Sequence, residues 1–352
     1  MQNKKKAIKY LLGIIFIEMA VVAAITILLD PFYQYHKPSL GLQAVLNDRD
    51  NQMMGTIRNF SYDSVILGSS VAENFDSSVL DQKYDAHFLK IIRASGSTAD
   101  LLYYLEEAHL RQDINRIFWN MDLFALESST EVTLYSEDTP RYLHTTTILD
   151  DFTYLFNKQV LFEKIPLMIA YSFTEKNTDG HAYDWSEDKE FSAAKAMQAY
   201  TRPDAPLEPQ SYEENKSNIA INIEMVINEI NSHPDTEYTV FFPPYSLMWW
   251  DNQYMQGTAE EQFYVLGEIL PALLSCENVS VYYFQSDREI VCNLDNYMDV
   301  VHYTPQMNQY MLDSIFANEY QVTVENMDET IKNMRETYDY IIREGIYLYY
   351  ER

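Results

Sequence analysis

The stretch "DSVILGSSVAENF", residues 63–75, sets an apolar run of strand-forming residues against a glycine and two serines. A run this short, bounded by turn residues, reads as a strand buried on both faces, as in a parallel sheet. Two readings of Ser69 and Ser70 stay open here. They close a tight turn, or one of them is a nucleophile presented at the carboxyl end of a strand.

Working outward, the same kind of run recurs as "AHFLKII" (86–92), "NRIFWNMDLFAL" (115–126), "EYTVFFPPY" (237–245) and "ENVSVYYF" (277–284). Helical spacing falls between them, around 77–80, in "STADLLYYLEEAHL" (97–110) and in "SYEENKSNIAINIEMVINEINSH" (211–233), whose buried side is predicted at Ile219, Ile221, Ile223, Val226, Ile227 and Ile230. Short apolar strands alternating with helices predict an α/β class, an open, doubly wound parallel sheet covered on both faces. Residues 127–210, rich in Thr, Tyr, Asp and Lys, break the rhythm and read as a helical insertion capping the site. Near the end, Met327, Ile331, Met334, Tyr338 and Ile341 share one face of a helix that packs on the domain or on a partner.

The amino terminus carries Lys4, Lys5, Lys6 and Lys9 ahead of an apolar run over 10–29, broken only by Glu18. About 20 residues of helix cross a bilayer core. The basic flank predicts a cytoplasmic stub, with everything after Asp30 outside the cell. A cleaved signal peptide is the rival reading, but its apolar region is normally shorter, ~7–15 residues. Glu18 either faces a partner helix or is tolerated by a single one. The predicted organisation is a stub and signal anchor (1–30), a juxtamembrane connector (31–62), a catalytic domain (63–319) and a C-terminal helix (320–352).

Composition narrows the classes. A formal charge of −28 over 352 residues offers no basic stripe for phosphate, which argues against nucleic acid. The seven histidines are scattered without an HExxH pair, and the two cysteines, Cys276 and Cys292, lack further soft ligands, so no metal and no cofactor is expected. Those two cysteines are either one disulfide or two thiols.

Acyl transfer needs a nucleophile, a base, a group orienting the base, and donors for an oxyanion. Ser70 is the candidate nucleophile, at the strand end where open α/β sheets hold ligands. In "NYMDVVHYTPQMNQYM", Asp299 and His302 stand three apart, so the carboxylate can orient the imidazole toward a serine. Gly96, in "RASGSTADLL", offers a backbone N–H as an oxyanion donor ahead of a helix capped by Ser97 or Thr98. In "FFPPYSLMWW", Tyr245, Trp249 and Trp250 either line the crevice against a sugar chain or pack beneath the insertion.

Together, Gly68-Ser69-Ser70, Gly96, the third strand and Asp299-Val300-Val301-His302 resemble the SGNH/GDSL hydrolase superfamily. The resemblance covers about 63–319 without the insertion, and implies a flavodoxin-like α/β/α sandwich. It assigns Ser70 as nucleophile, Ser70 and Gly96 as oxyanion donors, and Asp299 and His302 as the carboxyl-terminal DxxH. Two positions depart from the pattern. Ser69 replaces a frequent Asp, and Asp122 stands where the family's third block supplies an Asn. Asn120 is a possible substitute. With the anchor, the chain is most similar to extracytoplasmic proteins of teichoic acid D-alanylation and alginate-type O-acetylation. That likeness implies an envelope glycopolymer as acceptor and a membrane-bound O-acyltransferase as partner. The alternative is a non-catalytic envelope assembly protein; a secreted lipase is disfavoured by the missing GxSxG elbow.

Overall fold

The structure, a computed structural model, describes residues 2–134, 139–145, 147, 149–174 and 180–351. Six strands form one sheet in the order β2-β1-β3-β4-β5-β6. They are β1 (Ser64–Gly68), β2 (Phe88–Ile92), β3 (Arg116–Asn120), β4 (Glu237–Phe242), β5 (Val279–Tyr283) and β6 (Gln321–Val322). The first five run parallel, and β6 joins β5 antiparallel. All five residues of β1 and of β2 are buried, as expected for strands covered on both faces. The α/β class and the parallel sheet stand as predicted. The short β6 carries too few residues to show a periodicity.

The chain divides into two compact units. One comprises residues 62–137 and 183–352 and holds the sheet; the other comprises 1–61 and 138–182. Within the predicted insertion, the segment 138–182 clusters with the amino-terminal residues. The connector predicted over 31–62 contains the helix Arg49–Asn59, which lies so close to the preceding chain that a Cβ on Gly55 would stand 2.0 Å from the Phe32 carbonyl oxygen.

In the amino-terminal unit, the helix Gln2–Leu29 is long and apolar enough, over Lys4–Leu29, to cross a membrane. Its last turn is built into a small core of Phe32, Leu143, Tyr154, Val160 and Ile165. Thr26 Oγ1 donates to the Leu155 carbonyl at 3.0 Å. The buried Asp30 accepts from the Tyr154 hydroxyl at 2.6 Å and from the N–H groups of Gln34, Tyr35 and His36 at 2.7–3.0 Å. Four donors on one carboxylate satisfy a group that burial alone would make costly.

In the sheet-bearing unit, Ser97 and Asp100 form a reciprocal capping box on the helix Thr98–His109. The helix Lys216–Ser232 buries Ile219, Asn222, Val226 and Ile230, while Ile221 is exposed, because the contact stripe is narrower than the isoleucine pattern. The helix Met327–Arg343 buries Met334, Thr337 and Ile341, and Tyr338 meets the rings of Trp250 and Phe263. Its predicted apolar face therefore packs on its own domain. Cys276 and Cys292 are both free thiols, and burial raises the pKa of Cys292 to about 11.

Candidate active site

β1 ends at Gly68 because nothing larger fits. A Cβ there would stand 2.9 Å from the Asn120 Cβ and 3.0 Å from the Ala72 Cβ. The chain then turns at once. Ala72 N–H donates to the Ser69 carbonyl at 2.9 Å, and Ser70–Ala72 forms a single 3₁₀ turn. This sets the Ser70 hydroxyl at the carboxyl edge of the parallel sheet, half-buried. Two side chains from beyond β5 brace the turn, since the Tyr303 hydroxyl and Asn308 Nδ2 both donate to the Val71 carbonyl, at 3.3 and 3.2 Å.

The loop carrying the histidine is fixed from three sides. Tyr297 and Tyr303 form an antiparallel bridge across its neck, and Met298 N–H donates to the His302 carbonyl at 3.0 Å. The Ser246 hydroxyl, after β4, donates to the Val300 carbonyl at 2.7 Å. Thr304 caps the helix Pro305–Phe316 with proline in its first turn, which ends the loop cleanly.

Inside this frame Ser70 Oγ stands 2.8 Å from His302 Nε2, and His302 Nδ1 stands 2.7 Å from Asp299 Oδ2. The other carboxylate oxygen, Oδ1, accepts the backbone N–H groups of Val301 and His302 at 2.9 and 2.8 Å. Burial acts to raise the Asp299 pKa, but the imidazole and these two N–H groups outweigh it and hold the carboxyl below its ordinary value. An ionised Asp299 places the ring proton on Nδ1, leaving Nε2 to accept from the serine. The three residues have the nucleophile–base–orienter geometry of a serine acyl-transfer site.

A fourth residue was not foreseen. Trp185 donates its indole N–H to the Ser70 carbonyl at 3.0 Å and meets the His302 ring edge to face, with centroids 5.2 Å apart. The Trp185 backbone N–H donates to Asn74 Oδ1 at 3.1 Å. The neighbouring Asp184 pairs at 3.0 Å with Lys90 on β2, whose ammonium also donates to the Glu73 carbonyl at 2.5 Å. Burial lowers the Lys90 pKa, and Asp184 opposes that.

Beneath the serine lies a buried acid. Asp122 is 1% exposed, its Oδ1 accepts the Tyr245 hydroxyl, and Asn120 Nδ2 stands 3.5 Å from the same oxygen. Burial raises the Asp122 pKa to about 6, against the pull of Tyr245, Ser69 and His302. Tyr245 thereby occupies Asp122 Oδ1.

The Gly96 N–H donates to the Arg93 carbonyl at 3.0 Å across a turn whose Ser95 has φ 51°, so the proton expected for an oxyanion is already engaged. Tyr245 and Trp250 are fully buried and Trp249 is 7% exposed; all three pack as an aromatic cluster instead of lining a crevice. The structure thus brings Ser70, His302 and Asp299 together, and sets Gly96, Tyr245, Trp249 and Trp250 to structural tasks. No family model matches the chain, and no curated protein matches it either.

Proposed function

We propose that this chain is a membrane-anchored, extracytoplasmic serine acyltransferase or esterase that acts on a cell-envelope polymer. The relay from Asp299 through His302 to Ser70, with contacts of 2.7 and 2.8 Å, carries the reading. The strand order 2-1-3-4-5 is that of flavodoxin-like sheets, which supports the resemblance to SGNH hydrolases. The apolar helix Gln2–Leu29 supports an anchor, and its lysine flank supports a catalytic unit outside the membrane.

In this mechanism His302 Nε2 takes the Ser70 proton as Oγ attacks an acyl carbonyl. The carbonyl oxygen becomes an oxyanion held by the Ser70 N–H. Collapse of the tetrahedral species transfers the proton from His302 to the leaving group and leaves Ser70 acylated. A polymer hydroxyl, or water, then gives its proton to His302 as its oxygen attacks the acyl carbonyl; collapse breaks the bond to Ser70 Oγ, which takes the proton back from His302, and the acylated polymer or free acid leaves. A D-alanyl or O-acetyl group supplied by a membrane-bound O-acyltransferase fits this scheme.

The experiment is labelling of the full-length chain with a fluorophosphonate probe, followed by Ser70→Ala. Labelling lost in the variant supports catalysis at Ser70, and labelling that persists refutes it. The engaged Gly96 N–H favours the second reading, a non-catalytic assembly protein. Under that reading Ser70→Ala leaves the cellular role intact.

A further inference from the structure

At the opposite edge of the sheet from Ser70, three side chains converge that the sequence scatters over 125 positions. His109 ends the helix Thr98–His109, while Glu229 and His233 lie one turn apart at the end of the helix Lys216–Ser232. Glu229 Oε1 stands 3.0 Å from His109 Nε2 and 3.1 Å from His233 Nδ1. The two imidazoles lie face to face, 3.6 Å between centroids and 6° from parallel. The three ligand atoms fall within 4.8 Å of one another. The geometry points to a binding site for a divalent transition-metal ion, with His109, Glu229 and His233 as its ligands.

Two observations carry it. The donor set, two imidazoles and a carboxylate, is the one Zn²⁺ and its first-row neighbours prefer. Ligands ~2.0–2.1 Å from a tetrahedral ion stand about 3.3–3.4 Å apart, close to the two oxygen-to-nitrogen separations here; to bind the ion the parallel rings must turn so that both lone pairs meet it, with His233 Nδ1 leaving the Glu229 carbonyl that it now meets at 3.0 Å.

The surroundings suit an ion. The Tyr238 hydroxyl, on β4, donates to Glu229 Oε1 at 3.0 Å, an outer partner of the kind that orients a metal-bound carboxylate. The side chains of His109 and Glu229 are 12% and 13% exposed and that of His233 is 31% exposed, so the site is sheltered but reachable. A groove of about 480 Å³, lined by Leu102, Tyr103, Glu106, Asn228 and Ser232, opens beside it. Three protein ligands leave a fourth position for water or for a donor from another molecule. An ion here joins the ends of two helices without touching the serine chemistry.

The test is titration of the full-length, chelator-stripped chain in detergent with Co²⁺, followed by visible absorption and displacement by Zn²⁺. One equivalent should give the ligand-field bands of a low-coordinate Co²⁺ site. His109→Ala or His233→Ala should abolish them, and Tyr238→Phe should weaken binding about 10-fold. Labelling at Ser70 should stay unchanged in all of these variants. His109→Asn and His233→Gln replace any alanine variant that fails to melt cooperatively. Bands that never form in the intact chain, or that persist when both histidines are replaced, overturn the assignment.

Discussion

The indole N–H of Trp185 donates to the backbone carbonyl of Ser70 at 3.0 Å, so a residue 115 positions downstream holds the turn that presents the candidate nucleophile. The same ring stands edge-on to His302. Trp185→Phe keeps the ring and removes the donor. One hydrogen bond is worth about 1 kcal/mol, so the rate of fluorophosphonate labelling should fall roughly 5-fold with little change in melting temperature. A rate equal to that of the parent chain would show that the turn holds without it.

Replacing His302 by alanine removes the base. General base catalysis contributes ~10²–10⁴-fold, and acylation should slow by that factor. Asp299→Asn retains the size of the side chain but allows the amide to donate to Nδ1, which favours the wrong tautomer of the ring. Its loss should approach that of His302→Ala. A mild effect from either variant, read by single-turnover labelling, would remove the relay from the mechanism.

Asp122 predicts how stability varies with pH. Its folded pKa of about 6 lies above the ordinary 3.8, so the folded chain holds a proton that the unfolded chain has lost. Its influence is neutral below the ordinary value, and stability declines as pH rises from about 4 to about 6, by up to ~3 kcal/mol. Glu127, raised to about 8 chiefly by burial and further by Glu261, extends the decline toward pH 8. Asp122→Asn keeps an acceptor for Tyr245 and should remove the Asp122 share of the slope between pH 4 and 6, leaving the Glu127 share, which runs from about 4.5 to about 8. Denaturant titrations at pH 4, 6 and 8 measure both contributions.

Gly68→Ala places a methyl group against Asn120 and Ala72 at 2.9–3.0 Å. Overpacking of this kind costs about 1–3 kcal/mol. The serine turn begins one residue later, so labelling should fall along with stability. A variant that melts like the parent chain would mean that β3 gives way easily.

Much of the architecture was legible because strands buried on both faces read as unbroken apolar runs. Val65-Ile66-Leu67 and Val240-Phe241-Phe242 needed no partner to be recognised. Ser70, Asp299 and His302 were legible from local context: a strand end for the serine, a three-residue spacing for the pair. Trp185 was not, because it reaches the serine from a segment with no periodicity of its own. For Tyr245, Trp249 and Trp250 the sequence left two readings open for a related reason. Aromatics after a strand point toward either a crevice or a core, and only the helix Met327–Arg343 packed over Trp250 decides between them. Ile221 was assigned inward because the run of isoleucines is wider than the face its helix buries. The cluster of His109, Glu229 and His233 left one local trace, the four-residue spacing of Glu229 and His233. Its third member arrives from a helix 120 residues earlier.

The division of the chain has a consequence for the proposed membrane anchor. The backbone crosses between the two units three times, at 61/62, 137/138 and 182/183. One proteolytic nick near residue 61 breaks the only covalent path from the helix Gln2–Leu29 to the sheet-bearing unit, because 138–182 joins that unit at both of its ends. After such a cut the helix is retained by packing alone, through the core that Phe32 shares with Leu143, Tyr154, Val160 and Ile165. A truncation at residue 30 takes more than a tether: it strips Thr26 and Asp30 from Leu155 and Tyr154, and with them the floor of the smaller unit's core.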